Sequence, residues 1–192
     1  MKQDIILAGV GGQGILSIAF VIDHAALADG FQFKQAEVHG MAQRGGAVQS
    51  HLRLSSDRIW SDLIPKGEAD MILSVEPLEA LRYFDYLKPD GTVVTSSTPY
   101  RNIPDYPDLG QVLAAVGRAE RSVIVDSEAL AKEAGTVRAQ NIVMLGAAAP
   151  FLILKKESLR SFVETLFKPR GAAVVEANLR AFEFGLKAAG AA

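Results

Sequence analysis

Glycines at positions 9, 11 and 14 follow the short apolar run Ile5-Ile6-Leu7-Ala8 and precede an uninterrupted apolar stretch that reads as a helix. Glycine lets backbone N–H groups approach an anion closely, and the first peptide units of a following helix add a partial positive charge aimed at it. Gly9, Gly11, Gly12, Gln13 and Gly14 are therefore candidate binding residues for a phosphate or diphosphate, with a ligand-free strand-to-helix turn as the other reading. The same Gly-x-Gly-x-x-Gly spacing fits the dinucleotide fingerprint, which asks for an acid about 20 residues later at the end of a second strand. Glu37 stands near that place, so a free-standing NAD or FAD enzyme is one reading of the chain.

A second glycine-rich stretch, His39-Gly40-Met41-Ala42-Gln43-Arg44-Gly45-Gly46, follows the next expected strand. A dinucleotide fold would continue into a crossover helix here, whereas Ala47 to Leu54 alternates as a strand, with Val48, Ser50, Leu52 and Leu54 on one face and Gln49, His51 and Arg53 on the other. An arginine beside two glycines pairs a fixed forked cation with a backbone free to adopt positive φ, a combination that suits a carboxylate, a phosphate or a partner's acidic side chain. The competing reading is a solvated arginine at a hairpin entrance.

The elements that carry these loops alternate. Beyond the first three strands and the first helix, Asp70 to Val75 reads as a buried strand and Pro77 to Leu87 as a helix with proline in its first turn. Gly91 to Ser96 and Ser122 to Asp126 read as further strands, Pro99 to Pro107 as a surface loop and Leu109 to Ala119 as a short helix. From Ser127 the chain turns helical, with segments Ala139 to Leu154, Ser158 to Phe167 (Ser158 as N-cap) and Ala172 to Ala189. The fold class is α/β: one domain over 1–192, three layers α/β/α around a mostly parallel or mixed sheet, with a helical C-terminal third.

Composition narrows the function. The 192 residues are 49% hydrophobic and 22% charged with a formal net charge of −2, which offers no basic stripe for nucleic acid. There is no cysteine, so the chain has no thiolate with which to hold an iron–sulfur cluster and no disulfide framework. His24, His39 and His51 match no metal-ligand spacing, and no metal site is expected. No apolar run approaches the ~18 residues that span a bilayer and no signal core stands at the N-terminus, so a cytoplasmic protein is expected.

Four ordered segments carry a family resemblance. The Gly-Val-Gly-Gly-Gln-Gly loop, Glu37 to Gly46, Asn141-Ile142-Val143-Met144-Leu145-Gly146-Ala147 and Asn178-Leu179-Arg180-Ala181-Phe182-Glu183-Phe184-Gly185 resemble the gamma-type subunit of 2-oxoacid:ferredoxin oxidoreductases. The form His-Gly-Met-Ala-Gln-Arg-Gly-Gly is most similar to the beta subunit of the indolepyruvate branch. The resemblance implies a small subunit without catalytic residues of its own, inactive alone, supporting CoA-dependent oxidative decarboxylation of an aryl pyruvate. A larger subunit would hold thiamine diphosphate, Mg and iron–sulfur clusters, coenzyme A would enter at or near the glycine loop, and ferredoxin would dock on the complex. Glu37, His39, Met41, Gln43, Arg44, Gly45 and Gly46 are then expected at the contact with that subunit near its active site; a purely assembly role and self-association stay open.

Overall fold

The computed structural model describes residues 1–39, 45–101 and 103–190. Strand β1 (Lys2–Val10) leads through the glycine loop into helix α1 (Ile15–Ala28), followed by the antiparallel pair β2 (Gln32–His39) and β3 (Ala47–Ser55). Then come β4 (Ala69–Ser74), α2 (Pro77–Arg82), β5 (Leu87–Ser96), α3 (Leu109–Val116) and β6 (Arg121–Val125). Four helices close the chain: α4 (Ser127–Ala134), α5 (Gln140–Ala148), α6 (Lys156–Phe167) and α7 (Ala172–Ala188).

The sheet has the order β2-β3-β1-β4-β5-β6, with β1, β4, β5 and β6 parallel and β3 antiparallel to both of its neighbours. Central strands buried on both faces read as runs of apolar residues, and Ile5–Ala8 of β1, Met71–Leu73 of β4 and Val93–Val94 of β5 supply them. Ile5, Leu7, Met71, Leu73 and Val94 point to one core with α1, α5, α6 and α7, while Ile6, Ile72 and Val93 point to a smaller core with Ala80 of α2 and Val116 of α3. The expected three layers around a mixed sheet are present. On the larger face the helical layer is doubled, because every residue from Asn141 to Ala148 of α5 is buried between the sheet and α7.

Glycine makes that burial feasible. A Cβ on Gly146 would stand 2.1 Å from the carbonyl oxygen of Phe182, and one on Gly185 1.9 Å from that of Val143, so α5 and α7 cross backbone against backbone. The third and fourth of the family-like segments thus meet each other in space.

Several boundaries differ from the sequence reading. The helix expected over Pro77 to Leu87 ends at Arg82; Phe84–Tyr86 form a 3-10 turn, and Leu87 already pairs with Ala69 as β5 begins, four residues ahead of the expected Gly91. Pro89 and Gly91 sit in a register shift of that strand, which hides its start from a period-two pattern. Pro150 turns the end of the segment Ala139 to Leu154 into a 3-10 turn. Ser158 is not the cap of α6, which starts at Lys156; its hydroxyl donates to Asp29, whose carboxylate also accepts from the Lys155 N–H.

Candidate functional site

The parallel strands β1, β4 and β5 end on one edge of the sheet, where open α/β sheets place ligands. At the end of β1 the chain makes a tight turn: the Gln13 N–H donates to the Val10 carbonyl at 3.0 Å, and Gly12 occupies the third position with φ of 100°. That backbone geometry is a type II turn, which favours glycine there. Gln13 also folds its side chain back, its Oε1 accepting from the Val10 N–H at 2.8 Å. Gly14, with φ of 79°, caps α1.

The donors left over define what the loop can hold. The Gly11 N–H is committed to the Gly46 carbonyl at 2.8 Å and the Gln13 N–H to Val10, so the cradle expected from Gly11 to Gly14 is narrower than its sequence. Gly12, Gly14, Ile15 and Leu16 keep their N–H groups without a backbone partner among the described residues. Unpaired N–H groups at a helix start, together with the helix dipole, are the kind of arrangement that attracts an anion.

Asn141 locks this end of α1 to α5. Its Nδ2 donates to the Gly14 carbonyl at 3.1 Å, and a Cβ on Gly14 would come within 2.5 Å of that same nitrogen. The Asn141 segment therefore joins the glycine loop to the α5–α7 crossing. Sequence reading quoted it without a role, because the partners are 127 residues apart.

A cleft of about 410 Å³ opens beside the turn, lined by Gly12, Gln13, Val75, Thr98, Tyr100 and Arg138 among others. Its far wall is tied together by hydroxyls: Ser96 and Ser127 share a hydrogen bond at 2.8 Å, and Ser96 accepts from the Thr98 N–H at 3.0 Å. Arg138 and Glu128 bring one charge of each sign to the lining. Pro99 and Tyr100 belong to the expected surface loop Pro99 to Pro107, while Thr98 and Arg138 were given no role by the sequence. Their position just after β5 and before α5 was the available signal.

The two glycine-rich stretches do meet. Beyond the β1–β3 ladder, Gly45 N–H donates to Gly11 O at 3.2 Å, and Gly45 has φ of 80°. Glu37, however, is not placed as a ribose-binding acid. β3 lies between β1 and β2, so two strand spacings, roughly 10 Å, separate Glu37 from the glycine loop's strand. Its Oε1 accepts from Gln35 Nε2, which also donates to Ser50 at 3.0 Å, and its charge faces Asp23 of α1. His39 ends β2; Gly40, Met41, Ala42, Gln43 and Arg44 lie outside the described residues.

Asp23 was missed by the sequence reading. It is buried, its Oδ1 has no hydrogen-bond partner, and burial together with the Glu37 charge raises its pKa to about 7. The other histidines serve packing. His24 stacks on Phe20 with ring centroids 3.9 Å apart, and buried His51 accepts the Ile64 N–H on Nδ1 at 3.0 Å, its pKa lowered by burial and by Arg53. Among the described residues no group of His, Cys, Asp and Glu is arranged to hold a metal ion, and no helix is long and apolar enough to cross a membrane.

The family model for pyruvate ferredoxin/flavodoxin oxidoreductase matches residues 4–188. The indolepyruvate oxidoreductase subunit IorB of Thermococcus kodakarensis is 38% identical over 98% of this chain and 97% of its own. The gamma subunit of a keto/oxoacid ferredoxin oxidoreductase from Geobacter sulfurreducens superposes with a TM-score of 0.72 at 26% identity over 99% of each chain. A 2-oxoglutarate:ferredoxin oxidoreductase from Magnetococcus marinus, solved with 2-oxoglutarate, coenzyme A and succinyl-CoA, shares the fold with a TM-score of 0.80 at 22% identity. All of this chain corresponds to 31% of that longer one.

Proposed function

The chain belongs to the pyruvate ferredoxin/flavodoxin oxidoreductase family, and from that premise we propose that it is the small subunit of a 2-oxoacid:ferredoxin oxidoreductase acting on indolepyruvate or a related aryl pyruvate. The observation that carries this reading is the match to an indolepyruvate oxidoreductase subunit over essentially the full length of both chains. The cysteine-free sequence agrees with it, since clusters would have to be held by another chain. Thiamine diphosphate and Mg are likewise assigned to the larger subunit.

This chain's part is positional. Gly12 lines a cleft at the strand ends, and its N–H with those of Gly14, Ile15 and Leu16 at the adjoining start of α1 would accept the diphosphate of coenzyme A, with Arg138 as the cation in the lining. The thiol end would then be directed out of the cleft toward the larger subunit. Glu37, His39, Met41, Gln43, Arg44, Gly45 and Gly46 are assigned to the contact with that subunit, Arg44 gripping a carboxylate or phosphate through its fork. The intervening strand β3 argues against the free-standing NAD or FAD enzyme.

The test is reconstitution with the larger chain under anaerobic conditions, reading viologen reduction with a series of 2-oxoacids. Turnover with indolepyruvate that requires coenzyme A and exceeds that with pyruvate or 2-oxoglutarate supports the reading. A complex that turns over no 2-oxoacid refutes it.

A further inference from the structure

The wall of the cleft formed by Thr98, Pro99 and Tyr100 has little core of its own, and Tyr100 is 45% exposed. What holds it is a carboxylate on a different element. Glu76, at the junction between β4 and α2, is only 1% exposed, and no Lys or Arg forms an ion pair with it among the described residues. A charge so buried persists only when hydrogen-bond donors replace its water. Glu76 has three. Its Oε2 accepts from the Glu79 N–H at 2.8 Å, and its Oε1 from the Tyr100 N–H at 3.3 Å and from the Tyr106 hydroxyl. Its own backbone is fixed by Ser74, whose hydroxyl donates to the Glu76 carbonyl at 2.6 Å. One oxygen thus caps α2 while the other reaches across to the loop after β5. Val75, the preceding residue, is a lining residue of the same cleft and donates to the Ala8 carbonyl of β1.

We propose that Glu76 is a positioning residue whose buried carboxylate straps the Thr98-Pro99-Tyr100 wall to the start of α2 and so sets the width of the coenzyme-binding cleft. The inference rests on the reading of that cleft as the coenzyme A site. Glu76 touches no ligand itself. Its role depends on having two acceptor oxygens facing donors on two different elements, and a glutamine cannot reproduce that: its single oxygen serves either the α2 cap or the Tyr100 N–H, and its amide hydrogens face another donor. Tyr106→Phe is the milder change, removing one hydroxyl and leaving the Tyr100 contact.

The experiment compares wild-type, Glu76→Gln and Tyr106→Phe in the assembled complex, measuring KM and kcat for coenzyme A, KM for the 2-oxoacid, and amide exchange at Thr98 and Tyr100. Expected are a rise of about five- to tenfold in KM for coenzyme A with Glu76→Gln and about two- to threefold with Tyr106→Phe, with kcat and oxoacid KM within twofold and faster exchange at Tyr100. A purely structural role would instead lower stability and the amount of complex while leaving KM for coenzyme A unchanged. If Glu76→Gln fails to assemble, Tyr106→Phe decides. Coenzyme A KM unchanged in each assembled variant overturns the strap, as does unchanged exchange at Tyr100. A wild-type complex that shows no saturation by coenzyme A overturns the underlying reading of the cleft instead.

Discussion

Asp23→Asn should flatten the pH dependence of stability. The Asp23 carboxyl is 6% exposed on the inner face of α1, with one oxygen unpartnered, and burial followed by the Glu37 charge moves its pKa from 3.8 to about 7. Between those two values the folded chain binds more protons at this site than the unfolded chain does. The contribution to stability is therefore fully present below pH 3.8 and is lost as the pH rises through about 7. At one pKa unit per 1.36 kcal/mol, the loss has an upper bound of about 4 kcal/mol, reduced where water or local rearrangement relieves the ionised form. Asparagine keeps the shape and never ionises. Urea unfolding of both proteins at several pH values between 4 and 8 is the assay, and Asp23→Asn is expected to be the more stable by about 2–4 kcal/mol at pH 8. The gap should close toward pH 4. An identical pH profile in the two proteins, or an Asn variant weaker at pH 8, refutes the reasoning.

Gly185→Ala should lower Tm despite alanine's helix propensity, because a propensity gain of about 1 kcal/mol opposes overpacking of about 1–3 kcal/mol or more against an unyielding backbone. A differential-scanning measurement with unchanged or raised Tm would show that α5 and α7 do not cross at the Val143 carbonyl as described. Asp4 is fully buried and held by Arg53 Nε and Nη2 at 2.9 and 3.0 Å, with half-exposed Lys2 as a second partner, while Arg53 Nη1 donates to the Ser61 and Leu63 carbonyls. Arg53→Ala, by leaving that carboxylate buried without its main partner, should cost about 3–5 kcal/mol in equilibrium unfolding, and a loss below about 1 kcal/mol would contradict it. At the glycine loop, Gly12→Asn adds a side chain that meets no protein atom within 4 Å of its Cβ. Asparagine tolerates positive φ, so the variant should fold and raise KM for coenzyme A in the complex; unchanged saturation would make the loop a packing turn.

The layer order and the meeting of the two glycine stretches were readable because they depend on local signals. Ile5 to Ala8 is an unbroken apolar run, Val48 to Leu54 alternates, and glycines punctuate both loop ends, so a mixed sheet with converging glycine stretches followed. What was not readable depends on distant partners. Asn141 looks like an ordinary helix residue until Gly14 is placed beside it, and Glu76 looks like a surface acid until Tyr100 and Tyr106 fold over it. Glu37 had the spacing of a ribose-binding acid, yet the insertion of β3 beside β1 moved it to the outer strand, a fact of strand order that spacing does not contain. Asp23 lay inside an apolar helix with no local sign that another carboxylate would face it.

Catalytic dependence on a larger subunit is tested most directly by anaerobic purification of a tagged form of this chain, followed by assay of fractions with and without the co-purifying larger chain. With indolepyruvate and coenzyme A present, viologen reduction should appear only in fractions that contain both chains, and the isolated chain should show neither turnover nor the visible absorption of an iron–sulfur cluster. Reduction of viologen or ferredoxin by the isolated, cluster-free chain would contradict the assignment.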